Sequence, residues 1–548
     1  MKSFLTRSIN RRKFLVSSGL AIAAAAAPKL HAATGTKQPV RGIMVDAGRT
    51  PETMEYYHRV LDFCSEWQIN TLHFRLTDDQ GSAMRFTTVP GLMMHRNAFT
   101  ADELHDLVLY GQKNGVDIIP EVESFGHTGF ITLSKTYGHL LDADPDGSKE
   151  FSGLCPVHPE TLPLFEKLYK EVAAIFPSVY FHGGCDEVNW GGSELSKKAL
   201  AQKSRAQIWG EYVNALNKIA RGLHKEFIVW GDFILHKEPE ILSHLDKNIV
   251  LHDWNYSDNN AVKIEETRRK IRENGSRALG APALHCWGWG ARVGTEQLRN
   301  IDAFADSYYN NGDEGTLGVI LTNWLPSRYI QNSIWDGFAY AAVAFNMGTA
   351  TAQTSGLRRF VEKHYDAEWN EDWAEAFRIV YDDAPAAKRR GTESWMKWPL
   401  AAPWSSDEEL RAALAQPPLG ENPFTRMRSS LAKVQLQVRK NHADFMAFSL
   451  CAEYLERMYW RDQVLHQVTD AESSKLLVAD IADGDQGLAA ALQEDWKSGR
   501  FPGDESLTAP IAEFSLKDQV VFAWMKATAY SASLAAQPER FYQLLQSK

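Results

Sequence analysis

The chain has 548 residues, 44% of them hydrophobic, and a formal net charge of −10 from 59 basic and 69 acidic side chains. That balance argues against nucleic acid or an anionic membrane as partner, and the length suffices for two or three domains. Cys64, Cys155, Cys185, Cys286 and Cys451 stand far apart, with no CxxC or zinc-like spacing; an oxidising compartment would allow up to two disulfides with one thiol left over, so this is not a disulfide scaffold.

Arg11-Arg12 precedes a small, alanine-rich apolar run over 16–28, and Leu30-His31-Ala32 resembles a small-residue cleavage site. Paired arginines before such a run read as a twin-arginine export signal over residues 1–33. The run is too short for a spanning helix, and no other stretch approaches the ~18–20 apolar residues that one needs. The mature chain is expected to begin near Ala33, periplasmic or secreted, with no stable membrane span.

Strands then alternate with helices. Apolar runs predict strands at 42–46, 71–76, 116–121, 179–182, 227–231, 249–254, 281–287 and 317–322, the seventh weakened by Pro282. Helices are expected from Thr50-Pro51-Glu52 to about Trp67, from the capping box Thr100…Glu103 to Asn114-Gly115, and over 159–175, 206–224, 264–274, 298–309 and 333–347. Strand–helix units repeated over about three hundred residues predict an α/β fold, a (β/α)8 TIM barrel over 38–350. No GxGxxG loop follows the first strand, as a dinucleotide-binding open sheet would require, and no cofactor is expected. From 351 to 548 helical periodicity takes over, predicting a mainly α-helical C-terminal domain.

Barrel active sites are built at the C-terminal ends of the strands. Polar and aromatic groups fall there: Asp46 and Arg49, Asp78 and Asp79, Glu121, Glu123 and His127, Asp186 and Glu187, Trp230 and Asp232, Asp253 and Trp254, Trp287, and Asn323 and Trp324. The stretch Tyr180-Phe181-His182-Gly183-Gly184-Cys185-Asp186-Glu187 concentrates the pattern, because neighbouring carboxylates disfavour each other's ionisation and help one keep a proton near neutral pH. Acids and tryptophans with little basic charge favour a neutral ring such as a sugar. No HxH or HExxH spacing supports a metal, and none is expected.

At these motifs the chain resembles glycoside hydrolase family 20, the β-N-acetylhexosaminidases. The resemblance rests on Arg41-Gly42-Ile43-Met44-Val45-Asp46 with Arg49, on Asn70-Thr71-Leu72-His73-Phe74-Arg75-Leu76-Thr77-Asp78-Asp79-Gln80-Gly81, on Ile119-Pro120-Glu121 running to Gly126-His127, and on His182 to Glu187, similar to the family's His-x-Gly-x-Asp-Glu. It covers about residues 41–345 and leans toward the hexosaminidase D-like branch, with the barrel expected to start directly after the signal and without the family's usual N-terminal α/β domain.

The resemblance implies a retaining, exo-acting enzyme without its own nucleophile, in which the substrate's 2-acetamido oxygen attacks the anomeric carbon to form an oxazolinium. Glu187 would be the general acid and then base, and Asp186 would hold the acetamido N–H. Arg49 would bind outer hydroxyls, and Asp78 or Asp79, with His127 and His182, would surround the acid. Trp230, Trp254 and Trp324 would line the acetamido pocket. The partner would be a glycan with terminal GlcNAc or GalNAc. Adjacent Asp186 and Glu187 can act together only if the backbone bends after Gly183-Gly184.

Three departures bear on specificity. Asp78-Asp79-Gln80-Gly81 is followed by Ser82-Ala83-Met84-Arg85, without the family's tryptophan. Leu325-Pro326 stands where many relatives place a glutamate. The segment Cys286-Trp287-Gly288-Trp289 offers no clear tyrosine for the acetamido carbonyl, for which Tyr256, Tyr308 or Tyr329 could substitute. A catalytically silent carbohydrate-binding protein on the same barrel, or a family 20 enzyme of altered sugar specificity, are the alternatives.

Overall fold

The computed structural model describes residues 38–143, 153–256, 261–285, 294–383, 403–418, 420–501 and 520–546; the export signal expected at 1–33 and the segment Cys286 to Trp289 lie outside them. Eight parallel strands close into a barrel: β1 (Val40–Asp46), β2 (Thr71–Arg75), β3 (Asp117–Glu121), β4 (Tyr180–His182), β5 (Glu226–Trp230), β6 (Val250–Trp254), β7 (Arg277–Ala281) and β8 (Thr316–Asn323), with β8 pairing back onto β1.

The seventh strand lies earlier than its apolar pattern predicts. Arg277–Ala281 pairs with β6 and β8, whereas Ala283–His285 forms only a short extension on β8. Pro282 separates the two, since it has no N–H to give to a ladder. The first helix also starts later than Thr50-Pro51: α1 (Met54–Glu66) is capped by the Thr53 hydroxyl, which accepts from the Tyr56 N–H. The capping box at Thr100 and Glu103 opens α2 (Ala101–Lys113) as its spacing predicts.

The remaining barrel helices are α3 (Thr161–Ile175), α4 (Arg205–Gly222), α5 (Ala261–Glu273), α6 (Thr295–Ala305) and α7 (Trp335–Met347). The β5–β6 connection carries only the single turn Ile241–His244 as α-helix. α7 is buried from Trp335 to Phe345 because it is covered on both sides, by the barrel and by α8 (Thr349–His364).

Beyond α8 the described residues form helices: α9 (Glu371–Arg378), α10 (Asp407–Leu414), α11 (Phe424–Val434), α12 (His442–Val464), α13 (Ala471–Gly499), α14 (Val520–Ala535) and α15 (Pro538–Gln546). One apolar core runs without interruption from the barrel–helix interface into α11, α12 and α13, and a second gathers Trp404, Leu410, Ile481, Leu534 and Phe541. The described residues from Pro39 onward form one compact unit. Among the described residues Cys64, Cys155, Cys185 and Cys451 are buried with no disulfide among them, and no helix is long and apolar enough to cross a membrane.

Strand register sets up the site. Asp46 lies beside Arg75, Arg75 beside Glu121, and Glu121 beside His182, so four polar residues form one row across β1–β4 at their C-terminal ends. Because side chains alternate along a strand, these residues share the interior face with Met44, Ile119, Tyr180, Trp230 and Trp324, the apolar filling of the barrel. Asp253 has the opposite parity. It points outward to accept a hydrogen bond from the Tyr308 hydroxyl at 3.3 Å, and so leaves the cleft in which its strand-end position had placed it.

Candidate active site

Arg75 is the hub at the floor of the site. Fully buried, it donates to Asp46 Oδ1 at 3.2 Å, Glu121 Oε1 at 3.3 Å and Glu123 Oε1 at 2.6 Å, and also to Asp78. Removing a guanidinium from water is costly unless its donors are satisfied, and this row of carboxylates satisfies it. Arg49 repeats the arrangement one level up, with Nη1 3.1 Å from Asp46 Oδ2 and Nε 3.3 Å from Asp78 Oδ2. Both guanidinium groups lie 5.2 Å from the Trp324 ring. The sequence singled out Arg49 and passed over Arg75; an arginine on the inward parity of an otherwise apolar strand, between strands ending in acids, was the available signal.

The stretch after β4 bends as the adjacent acids require. Gly184, Cys185 and Glu187 have φ of +64°, +77° and +46°, a left-handed run that two non-glycine residues adopt at a cost of order 1–3 kcal/mol each. A Cβ at Gly184 would collide with the Glu123 carboxylate, and one at Gly126 with the Asp186 carbonyl oxygen. The Cys185 N–H donates to Glu123 Oε2 at 3.1 Å, and its thiol is buried as a small packing group. The bend turns both carboxylates toward one imidazole: His127 Nε2 is 3.2 Å from Glu187 Oε2 and 3.8 Å from Asp186 Oδ2. His127 Nδ1 lies 3.1 Å from Asp79 Oδ2, and Asp79 Oδ1 accepts from the Gly129 N–H. Asp78 thus serves the arginines and Asp79 the histidine.

Protonation is distributed unevenly. Burial pushes the Asp186 pKa up, and the Glu187 charge adds to this, against the pull of His127 and Arg75. Burial acts in the same sense on Glu187, but its hydrogen bond to His127 and the charges of His127, Arg49 and Lys237 outweigh it and hold the carboxyl below its ordinary value. Burial opposes the charge on His127, yet Asp186, Asp78, Asp79 and Glu187 raise its pKa well above 6.5. Of the adjacent pair, therefore, Asp186 holds its proton to higher pH than an ordinary aspartate and Glu187 releases its own at lower pH, while the acids around His127 favour the charged imidazole. Asp232 accepts from the Glu187 N–H at 3.3 Å and is pushed up to about 7 by burial and by its two acidic neighbours.

His182 and Trp230 lie beneath this layer. His182 accepts from the Gly184 N–H at 3.0 Å and contacts His252 at 3.2 Å; burial holds it neutral, with a pKa near 3. It supports the bend without touching Glu187. Trp230 is fully buried, donates to Glu121 at 2.9 Å and stacks on His252 with centroids 4.3 Å apart. Nearer the mouth, Trp324 donates to the Tyr256 hydroxyl at 2.9 Å, and Tyr256 stacks on Trp254. Of the candidate tyrosines, Tyr256 stands among the tryptophans, Tyr308 is committed to Asp253 outside the barrel, and the Tyr329 hydroxyl accepts from Asn323.

Three groups of possible metal ligands occur here: His73, Glu121 and His182; Asp78, Asp79 and His127; and His127, Asp186 and Glu187. In the first, His73 Nε2 already meets Glu121 Oε2 at 2.7 Å. The other two share His127, whose proton affinity opposes the neutral imidazole that a metal needs.

Residues 39–282 match the family model described as glycosyl hydrolase family 20, catalytic domain. A probable beta-hexosaminidase of Arthroderma benhamiae is 25% identical over 259 residues, 42% of this chain and 41% of that protein. A beta-hexosaminidase of Vibrio furnissii is 24% identical over 247 residues, 39% of each. The chain thus spans about two fifths of the length of these curated relatives. Among solved structures, a chitobiase of Flavobacterium johnsoniae aligns over 80% of this chain and 74% of that one, at 17% identity and a TM-score of 0.47.

Proposed function

We propose that this chain, a member of glycosyl hydrolase family 20 through its catalytic domain at residues 39–282, is a retaining exo-β-N-acetylhexosaminidase that releases terminal GlcNAc or GalNAc by substrate-assisted catalysis. The observation that carries this reading is the convergence of Asp186 and Glu187 on His127 across the left-handed bend. A site that only bound sugar would need no such constellation.

In this reading Glu187 protonates the leaving oxygen. Its side chain is 30% exposed in the open site, and a sugar seated over it removes that water, which favours the neutral form of the acid. His127, 3.2 Å away and holding a proton, supplies what Glu187 passes on. The acetamido oxygen then attacks the anomeric carbon as the glycosidic bond breaks. Asp186 accepts the acetamido N–H, and the surplus of carboxylates over guanidinium groups stabilises the positive charge of the oxazolinium. Water enters, Glu187 takes its proton, and the hydroxyl opens the oxazolinium with net retention. Arg49 faces the outer hydroxyls, and Tyr256 offers its hydroxyl to the acetamido carbonyl.

Turnover of aryl β-N-acetylglucosaminide and β-N-acetylgalactosaminide by wild type, Glu187→Gln and Asp186→Asn tests this. Wild type should release the aglycone, and Glu187→Gln should lose about 10²–10⁴-fold in kcat. Wild type inert on both substrates leaves the silent carbohydrate-binding protein. Activity surviving Glu187→Gln moves the acid to another residue. Export is part of the proposal, supported by Arg11-Arg12 and the apolar run behind them; cell fractionation with both arginines changed to lysine should retain the precursor inside.

A further inference from the structure

The loop that follows β8 is held from two sides, by the barrel and by the helical region. It starts at Trp324, turns through Leu325 at φ +52°, and runs to Ser333. On the barrel side, the Leu325 N–H donates to Asp46 Oδ2 at 3.2 Å. On the other side stands Arg500, just past the end of α13. Its guanidinium is fully buried and donates to the carbonyl oxygens of Pro326 and, at 3.2 Å, of Tyr329. It lies over the Tyr329 ring and is backed by the Trp496 ring, 4.4 Å from its centroid.

The surrounding contacts form one seam. Glu52, just before α1, sits 3.6 Å from Arg500 and accepts from the Gln331 amide. The Thr53 N–H donates to the Gly499 carbonyl at 2.9 Å. Asn332 accepts from Arg59 at 3.1 Å and donates to Ser498 at 3.0 Å, while Arg59 reaches Asp444 of α12 at 2.6 Å. A buried arginine that donates to two main-chain carbonyls helps specify where that loop runs, because its removal takes away both hydrogen bonds at once.

We propose that Arg500 is a positioning residue for the active site: by anchoring residues 326–329 it sets the Trp324 ring that underlies Arg49 and Arg75 and fixes the Leu325–Asp46 contact. Arg500 touches no substrate. The helical region thereby completes a barrel loop, and the dependence of catalysis on it rests on the hexosaminidase reading above.

The test compares wild type, Arg500→Ala, Arg500→Lys and Leu534→Ala, the last a cavity in the second helical core, far from the seam. Kinetics on the aryl N-acetylhexosaminide are measured alongside amide hydrogen exchange over 323–331 and thermal stability. Arg500→Ala should lower kcat/KM about 10- to 100-fold, mainly through KM as Arg49 loses its support, with faster exchange confined to that loop. Arg500→Lys, keeping the charge but one donor direction fewer, should recover part of both. Leu534→Ala should lower stability while leaving kcat/KM and loop exchange at wild-type values. Wild-type kinetics or unchanged loop exchange in Arg500→Ala overturns the proposal, as does an equal kinetic loss in Leu534→Ala. Should wild type prove inactive on these substrates, the function reading fails, and loop exchange alone then decides the anchoring.

Discussion

His127 joins Glu187 to Asp79, its Nε2 lying 3.2 Å from one carboxylate and its Nδ1 3.1 Å from the other. One imidazole thereby couples the acid that follows the fourth strand to the loop that follows the second. The surrounding acids raise the His127 pKa well above 6.5 while its hydrogen bond and charge lower that of Glu187, so the pair favours its proton on the histidine.

The pH profile should show this. As pH rises, wild type loses the shared proton only through the His127 pKa, which lies well above 6.5. In His127→Asn the proton has only Glu187 to sit on, and a carboxyl releases it at lower pH. The alkaline limb of kcat/KM should therefore move to lower pH, with kcat down about 10²–10³-fold at neutrality. A limb left in place would show that His127 holds no functional proton.

Gly184→Ala should be severely destabilising. The new Cβ would meet Glu123 at a residue already in the left-handed region, and yielding would displace Cys185 and both acids. A loss of about 3 kcal/mol or more in denaturant unfolding is expected, with activity lost before the fold.

Arg75→Met tests the floor. Asp46, Asp78, Glu121 and Glu123 would lose their common donor in a fully buried place, and breaking buried pairs from one side costs about 3–5 kcal/mol. Urea unfolding should show that loss at pH 7 and a smaller one at low pH, where the stranded carboxylates take up protons.

Asp253→Asn should stabilise the protein. Burial pushes Asp253 from its ordinary 3.8 up to about 7, with the Tyr308 hydrogen bond opposing. A folded-state pKa raised above the unfolded one gives stability that is full below about pH 4 and is lost as pH rises through about 7. The asparagine variant loses none of it, so its advantage should grow across that window to at most about 4 kcal/mol. Melting at pH 4 and pH 8 measures the difference. Turnover should hold, because Asp253 points away from the cleft.

Much of the site was legible because its residues follow apolar runs. Those runs located seven of the barrel strands to within a few residues, and active sites in this architecture are built at the strand ends. The seventh strand was misplaced because Arg277-Ala278-Leu279-Gly280-Ala281 is short and weakly apolar, while the more hydrophobic stretch after it contains the proline. Arg75 was missed since a lone arginine in a strand carries no sign that four acids from three segments converge on it. The roles of Asp78 and Asp79 stayed open for the same reason: adjacent residues are alike in sequence and separate only when the backbone chooses which faces the arginines.

The sequence by itself determined the α/β alternation, the glycine pair that permits a bend, and the acids that follow it, all properties of local backbone preference and side-chain period. Tertiary structure alone decided which way each acid turns, where the shared proton rests, and that Arg500 reaches back to the loop after β8. Those depend on register between strands and on contacts across more than a hundred residues, where burial and neighbouring charge, not local pattern, set the energy. The stretch from Gly184 to Glu187 could be read as able to bend; the Glu123 carboxylate and the Gly126 backbone packed against it make the bend the one that brings both acids to His127.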